Sequence, residues 1–274
     1  MTLKDYEYYK TDLGILYCGS CEDILPLIED KSIDLVITSP PYDELRDYKG
    51  YSFDFNAIAQ QLFRTSDIGG VVVWVVGDAT VDGSETGTSF KQALYFKERG
   101  FNLHDTMIYD KHSIVFPSNN RYHQTFEYMF VLSKGNLKTF NPIKDRRNFY
   151  TKTGGCTKRQ KNGEMNREGR SGIQMSEFGQ RFNVWQIDCG YGKSTKDKIA
   201  YEHPAIFPDK LAQDHIISWS NKGDLVMDIF MGSGTTAVAC EKLGRKWVGI
   251  EISKDYCRIA KQRIQSEFNQ LKLF

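Results

Sequence analysis

A hydroxyl, two prolines and an aromatic ring follow one another where an apolar stretch of the chain ends. Residues Asp34–Tyr42 read Asp-Leu-Val-Ile-Thr-Ser-Pro-Pro-Tyr, and the apolar part predicts a buried strand. The prolines cannot continue a β-ladder and they fix the backbone. A planar group bearing an amine suits such a site, because its ring would stack on Tyr42 while its amino hydrogens bond to Ser39 and the Pro40 carbonyl. A strand that simply ends in a proline turn is the structural alternative.

A second candidate site lies in the last quarter of the chain. Leu225–Phe230 predicts a strand and Ala237–Leu243 predicts a helix, with the turn Met-Gly-Ser-Gly-Thr-Thr between them. The next predicted strand carries the acidic Glu251. Glycines let the backbone turn tightly and approach a ligand, and an acid about 20 residues further on accepts ribose hydroxyls. The pattern indicates an adenosine-type cofactor, which both a dehydrogenase and a methyltransferase use.

Strands and helices alternate around both candidate sites. Ile15–Tyr17, Cys21–Glu29 and the strand before Ser39 form a β-α-β pattern, and Val71–Val76 is a continuous apolar run typical of a strand buried on both faces. This alternation predicts an α/β fold with a doubly wound, mostly parallel sheet. Two later strands, Leu103–Tyr109 and Phe126–Leu132, are predicted to close the sheet as an antiparallel pair.

Basic residues are concentrated in one segment. The net charge of the 274 residues is +1, but Lys138–Arg170 carries ten basic and three acidic residues, so the rest of the chain sums to −6. The segment is poor in aliphatic residues and rich in Gly, Asn and Thr. A solvated loop and a surface that follows a phosphate backbone explain this charge equally well.

Composition narrows the class of protein. No apolar run approaches the roughly 18 residues of a membrane-spanning helix, and Met1–Lys10 is too polar for a secretory signal, so a cytoplasmic location is expected. The six cysteines are scattered, and Cys18-x-x-Cys21 has no second pair to complete a zinc site. No metal is expected.

Taken together, Thr38–Tyr42 and Asp228–Thr236 (Asp-Ile-Phe-Met-Gly-Ser-Gly-Thr-Thr) resemble the motifs of the DNA amino-methyltransferases. The order of the motifs resembles the β group of that family, in which the catalytic half precedes the cofactor half, and the resemblance covers most of the chain. It implies the S-adenosylmethionine-dependent methyltransferase fold. The implied divisions are a catalytic half over residues 1–137, a basic target-recognition insertion over 138–192, and a cofactor half over 193–274.

The resemblance also implies roles for individual residues. The catalytic group would be Ser39, Pro40, Pro41 and Tyr42. S-adenosylmethionine would be held by Asp228, Phe230, Gly232, Ser233, Gly234, Thr235, Thr236, Glu251, His203, Pro204, Phe207 and Ser20. DNA would be bound by Arg146, Arg147, Lys158, Arg159 and Lys161. Two positions depart from the family pattern, which has Gly-Asp at Gly19-Ser20 and Pro at Ile229.

The target is expected to be a base flipped out of double-stranded DNA. Hydrogen bonds from its amine to Ser39 and Pro40 would return the nitrogen lone pair from the ring for attack on the sulfonium methyl. In the family, serine as the first motif residue favours N4 of cytosine and aspartate favours N6 of adenine, so Ser39 favours cytosine and leaves adenine open. A cognate restriction endonuclease, and the choice between monomer and homodimer, are also left open.

Three other functions compete with this hypothesis. A nucleotide-dependent oxidoreductase would use Gly232, Gly234 and Glu251 but leave Ser-Pro-Pro-Tyr idle. A DNA-binding module without catalysis would show no affinity for a cofactor. An RNA methyltransferase is a nearer rival, although such enzymes usually place the cofactor motif first.

Overall fold

The computed structural model describes residues 1–41, 53–113, 119–154, 156–168 and 172–271. Two compact units are present, one formed by Met1–Asn141 with Asn183–Phe274 and the other by Pro142–Phe182. Tyr42 lies outside the described residues, so its stacking role stays a prediction.

The elements are numbered in chain order. The described strands are β1 (Glu7–Lys10), β2 (Gly14–Cys18), β3 (Ile33–Thr38), β4 (Ser66–Val76), β5 (Thr80–Val81), β6 (Ser84–Glu85), β7 (Asn102–Asp110), β8 (Phe126–Ser133), β9 (Arg146–Arg147), β10 (Cys156–Arg159), β11 (Met165–Glu168), β12 (Phe178–Gly179), β13 (Val184–Gln186), β14 (Leu225–Asp228) and β15 (Lys246–Glu251). The described α-helices are α1 (Cys21–Ile24), α2 (Phe55–Thr65), α3 (Thr88–Glu98), α4 (Asp209–Trp219), α5 (Thr235–Leu243) and α6 (Lys254–Leu271). Short 3₁₀ helices cover Leu3–Tyr6, Leu25–Leu27 and Lys198–Glu202.

Nine strands of the larger unit form one mixed sheet in the order β1-β2-β15-β14-β3-β4-β8-β7-β13. The strands from β2 to β4 in this order pair in parallel, as do β7 and β13. Strand β1 pairs antiparallel with β2. Strand β8 pairs antiparallel with both of its neighbours, β4 and β7. The predictions of a doubly wound, mostly parallel sheet and of an antiparallel β7–β8 pair are confirmed.

Hydrophobic cores cover both faces of the sheet. The apolar run in β4 contributes to both, because successive side chains of a strand point to opposite faces. Alternate residues enter opposite cores, with Val71, Val73 and Val75 in one and Val72, Trp74 and Val76 in the other. Buried residues of α1, α2 and α3 pack on the second face, and those of α4, α5 and α6 on the first. The larger unit is therefore a three-layer α/β/α sandwich.

The paired strands β3 and β14 are the point where the winding of the sheet reverses. From β3 the chain passes through α2 to β4 on one side, and from β14 it passes through α5 to β15 on the other. Doubly wound sheets bind ligands outside the carboxyl ends of strands at such a point. Ser39 follows β3 directly and Asp228 ends β14, so the fold brings the two candidate sites together.

The smaller unit contains two short antiparallel pairs, β9 with β12 and β10 with β11. It is narrower than the predicted insertion over 138–192. Lys138 forms ion pairs with Asp34 and Asp67, and Trp185 is buried in the core of the larger unit, so the flanks of the predicted insertion belong to that unit. Along the described parts of the chain, no helix has both the length and the apolar character needed to cross a membrane.

Candidate active site

A cavity of about 710 Å³ opens at the carboxyl ends of β3 and β14. Ser39 and Pro41 line it from β3, while Pro40 is buried. The glycine turn after β14 and Glu251 at the end of β15 line the same space. The hydroxyl that the sequence predicts to be catalytic therefore shares one cavity with the predicted cofactor residues.

The turn between β14 and α5 requires glycine at two positions. Gly232 has a φ of 53° and Gly234 has a φ of 84°, in the left-handed region that side chains disfavour. A Cβ atom on Gly232 would lie 3.1 Å from His203 Nε2, and one on Gly234 would lie 2.9 Å from Ala260. The glycines thus let the backbone turn beside the cavity without a steric clash.

Glu251 is held in place by backbone amides. Its Oε2 accepts from Gly232 N at 2.8 Å and its Oε1 accepts from Ser253 N at 2.9 Å. Burial raises the pKa of this carboxyl, and the two amide donors oppose that shift. Because each carboxylate oxygen can accept two hydrogen bonds, Glu251 keeps capacity to accept from a ligand.

Asp228 forms hydrogen bonds to the end of β3 and to the start of α5. Its Oδ1 accepts from the Thr38 hydroxyl at 2.7 Å and from Phe230 N at 3.1 Å, and its Oδ2 accepts from the Thr236 hydroxyl at 2.6 Å. Burial raises the pKa of Asp228, and these hydrogen bonds counteract the shift. Most of its accepting capacity is used inside the protein, so the geometry favours a positioning role over direct contact with a ligand.

The remaining predicted cofactor residues lie around the cavity, with one exception. Lining residues are Ser20, His203, Pro204, Phe207, Asp228, Phe230, Gly232, Ser233, Thr235, Thr236 and Glu251, whereas Gly234 packs against Ala260. The His203 ring lies 4.2 Å from the Tyr256 ring at an angle of 65°. Ser20 caps α1 by accepting from Glu22 N at 3.2 Å, and its own hydroxyl proton can still be donated.

Arg263 was not singled out from the sequence, yet it holds the glycine turn. Its side chain is fully buried, and its Nη1 donates to Ser233 O and to the Thr235 hydroxyl, each at 2.9 Å. Ion pairs with Asp197 at 3.0 Å and Asp209 at 3.2 Å balance its charge. The sequence alone could not predict this role, because the partners of Arg263 come from distant segments of the chain.

A second group that the sequence did not reveal lines the cavity beyond Ser39. Tyr109 lies at the end of β7 and Lys111 directly follows that strand, while Glu127 lies at the start of β8 and Cys189 in the segment after β13. The predicted β7–β8 hairpin could have indicated that Tyr109 and Glu127 lie close together. In an antiparallel pair the end of one strand and the start of the next lie at the same edge of the sheet.

In the smaller unit, the predicted DNA-binding residues differ in exposure. Arg147, Lys158, Arg159 and Lys161 are exposed, the last three on the β10–β11 hairpin and its turn. Arg146 is half-buried, since its guanidinium lies 4.7 Å from the Phe182 ring and donates to Gln180 O at 3.0 Å. Pro142–Phe182 carries ten basic and four acidic residues. Arg146 thus has a structural role within this unit, and the exposed cations form its charged surface.

A doubly wound sheet with a glycine turn and an acidic strand end at its switch point defines a nucleotide-cofactor-binding α/β protein. The "DNA methylase" model of the N6_N4_Mtase family matches residues 33–262, and the chain belongs to that family. It is 59% identical over 242 residues to the "Orphan methyltransferase M.BamHII" of Bacillus amyloliquefaciens, which covers 87% of this chain and 91% of that protein.

Solved structures share the fold. The chain resembles the "PvuII DNA methyltransferase (cytosine-N4-specific)" with a TM-score of 0.69 and 20% identity, over 97% of this chain and 94% of that one. It also resembles M1.HpyAVI, solved as a SAM complex, with a TM-score of 0.59 and 21% identity, over 92% of this chain and 100% of that one. Both likenesses support the α/β fold derived above.

Proposed function

We propose that the protein is a site-specific DNA methyltransferase that methylates the exocyclic N4 amine of cytosine. One observation carries the proposal: Ser39, at the carboxyl end of β3, lines the same cavity as the glycine turn and Glu251. An amine that accepts a methyl group and a nucleotide-like cofactor that donates it would meet there, between two neighbouring strands. A nucleotide-dependent oxidoreductase would need only the glycine turn and the acid, and would leave Ser39 without a role.

The residues fit S-adenosylmethionine, which supplies a methyl group on a positively charged sulfur when it is bound. Glu251 would accept from the ribose hydroxyls, and the backbone at Gly232 permits close approach. His203, Pro204 and Phe207, which line the cavity, would contact the methionine end, and the Ser20 hydroxyl would bond to the adenine. Asp228 and Arg263 would act by holding the turn in shape.

Ser39 and the Pro40 carbonyl would orient the attacking amine. An exocyclic amine is a weak nucleophile because its lone pair is delocalised into the ring. If both N–H groups donate to protein acceptors, the nitrogen becomes more tetrahedral and the lone pair is directed at the methyl carbon. Bound S-adenosylmethionine would supply the methyl group to this nitrogen and leave as the thioether, and the amine would release one proton to solvent. Ser39 accepts a hydrogen bond and forms no covalent bond in this mechanism.

The basic unit Pro142–Phe182 is proposed to bind the DNA, with its exposed cations on the phosphates. The target base must leave the duplex to reach a cavity at the sheet edge, because its amine is otherwise paired. Tyr42 is proposed to stack on the flipped ring. The relative that shares 59% identity is named an orphan methyltransferase, which supports an enzyme that acts without a cognate endonuclease.

The proposal is tested by the product. The protein is incubated with S-adenosylmethionine and mixed-sequence duplex DNA, the DNA is digested to nucleosides, and the products are identified by mass spectrometry. We expect N4-methylcytosine. N6-methyladenine alone would keep the family assignment but replace the target base, and the absence of any methylated base would contradict the proposal.

Cofactor affinity is expected to depend on pH through Glu251. Only the ionised carboxylate offers both oxygens as acceptors, and burial raises its pKa. Affinity for S-adenosylmethionine should therefore be complete above that raised pKa and fall as the pH drops through it, earlier than for an ordinary glutamate. Isothermal titration across the acidic range measures this dependence.

The matched variants for this experiment are Glu251→Gln and Glu241→Gln. Glu241 is also buried, but it bonds to Trp247 Nε1 at 2.7 Å and does not line the cavity. The first variant should bind more weakly and lose the pH dependence, whereas the second should keep it. Circular dichroism confirms that each variant is folded, and an unchanged pH profile in Glu251→Gln would exclude Glu251 as the titrating group.

Reversing charge on the β10–β11 hairpin is expected to weaken DNA binding. Replacing Lys158, Arg159 and Lys161 with glutamate should lower affinity and reduce the slope of log K against log salt by about 1 for each phosphate that is no longer neutralised. Fluorescence anisotropy with labelled duplex at several salt concentrations measures both quantities.

The control makes the same change in total charge on the larger unit. Replacing the exposed Lys4, Lys91 and Lys97 with glutamate should leave the salt slope nearly unchanged. If the two triple variants lose affinity equally, the hairpin does not contact the phosphates and binding depends only on net charge.

A further inference from the structure

The part of the cavity beyond Ser39 is built from the end of one strand and the start of another. Tyr109 of β7 is paired in register with Glu127 of β8 and with Trp185 of β13. Lys111 and Cys189 also line the cavity. In the sheet order, β7 and β8 lie on the opposite side of β3 from the glycine turn, so this corner is separate from the proposed cofactor residues.

The hydroxyl of Tyr109 is buried and is not well hydrogen-bonded among the described residues. The Tyr109 side chain is 2% exposed, and within the described part of the chain its hydroxyl has no hydrogen bond of good geometry, the Cys189 thiol being a close but weak neighbour. Leaving a buried hydroxyl unpaired costs about 1–3 kcal/mol, so a ligand that bonds to it recovers that cost. Burial, with the neighbouring Cys189 and Glu127, raises the pKa of Tyr109. The phenol therefore stays protonated near neutral pH and can donate.

The charges of the corner indicate what kind of ligand it accepts. Lys111 Nζ lies 2.5 Å from Glu127 Oε1, and their side chains are only 20% and 14% exposed. The charges of Lys111 and Glu127 cancel, and the Glu127 carboxylate would repel a phosphate. A neutral planar ring with polar atoms on its edge suits these surroundings better than an anion does.

We propose that Tyr109 donates a hydrogen bond to the O2 carbonyl of the flipped-out cytosine and thereby helps to select this base. The inference rests on the proposed function. With N4 held at Ser39 and Pro40, the next two edge atoms of cytosine are the acceptors N3 and O2. Adenine held by N6 presents N1 and then a C–H group, which would leave the buried hydroxyl unpaired.

Two variants on neighbouring strands test this role. Tyr109→Phe removes the proposed donor, and Tyr128→Phe removes a hydroxyl from the other face of the sheet, where Tyr128 stacks on Phe130. With mixed-sequence duplex DNA as the probe, Tyr109→Phe should lower kcat/KM for N4-methylcytosine formation by about tenfold to a hundredfold, as expected for loss of one buried hydrogen bond. The Kd for S-adenosylmethionine should change less than about twofold.

Thermal unfolding separates substrate contact from a structural role. Because the only polar neighbour of the hydroxyl is the weakly bonding Cys189 thiol among the described residues, its removal should leave the Tm nearly unchanged or raise it. A lower Tm together with lower activity would overturn the inference, as would a kcat/KM equal to that of Tyr128→Phe and the unmodified protein. If the unmodified protein makes only N6-methyladenine, the proposed base and the O2 contact both fail. If it makes N4-methylcytosine and Tyr109→Phe does so at the same rate, only the role of Tyr109 fails.

Discussion

Replacing Ser39 with alanine is expected to reduce methyl transfer about a hundredfold or more, the effect seen when one positioned polar group is removed from an active site. The hydroxyl lies where β3 ends, beside the cavity, and is proposed to accept from the target amine. Without it the amine keeps its lone pair in the ring and loses its orientation. The initial rate of methylcytosine formation measures the loss, and calorimetric titration should give an unchanged Kd for S-adenosylmethionine.

The control for this variant is the same substitution at the opposite end of β3. Ser32 precedes the strand, and its hydroxyl donates to Glu29 O at 2.8 Å, away from the cavity. Ser32→Ala should retain full turnover. Normal turnover in Ser39→Ala would remove Ser39 from the mechanism, and a parallel loss of cofactor binding would assign it to the cofactor site.

The largest effect on stability is expected from Asp228→Ala. The substitution leaves three donors without an acceptor: the buried Thr38 and Thr236 hydroxyls and the partly buried Phe230 N. Since each unsatisfied buried donor costs about 1–3 kcal/mol, the free energy of unfolding should fall by about 3 kcal/mol or more. Urea denaturation measures the loss, and both cofactor binding and methyl transfer should be lost where the variant remains folded.

Two further variants make this result specific. Asp228→Asn keeps the volume and one acceptor oxygen, so it should lose less stability than Asp228→Ala. Asp224→Ala removes a carboxylate that accepts from Asn221 N at 2.8 Å in the turn before β14, and it should cost little. Equal stability of Asp228→Ala and Asp224→Ala would show that the buried network does not hold the two strands together.

Local patterns predicted most of the fold. The apolar run Val71–Val76 required a strand buried on both faces, and the structure places it at the centre of the sheet. The helix predicted over Cys21–Glu29 is shorter than expected. Its α-helical part ends at Ile24 and continues as a 3₁₀ turn, because Pro26 has no N–H for the helical ladder. In the basic segment the strands are two to four residues long, too short for periodicity to reveal them.

The candidate site was predictable where its residues belong to recognisable motifs. Ser39 and the glycine turn belong to compact motifs, so their placement at one sheet edge follows from parallel strand pairing. Tyr109 and Arg263 are residue types common in cores and on helices, and only their distant neighbours distinguish them. The roles proposed for Arg263 and Tyr109 therefore depend on long-range geometry.

The bond between Thr38 and Asp228 joins residues 190 positions apart, and it affects how the enzyme is made. At about 5–20 residues per second, a ribosome needs roughly 10 to 40 s to synthesise the chain between them. Arg263, which fixes the glycine turn, is synthesised later still. The segment that carries Thr38 and Ser39 thus emerges from the ribosome before the residues that hold it and the glycine turn in place. Chains released before Arg263 is synthesised should therefore lack methyltransferase activity.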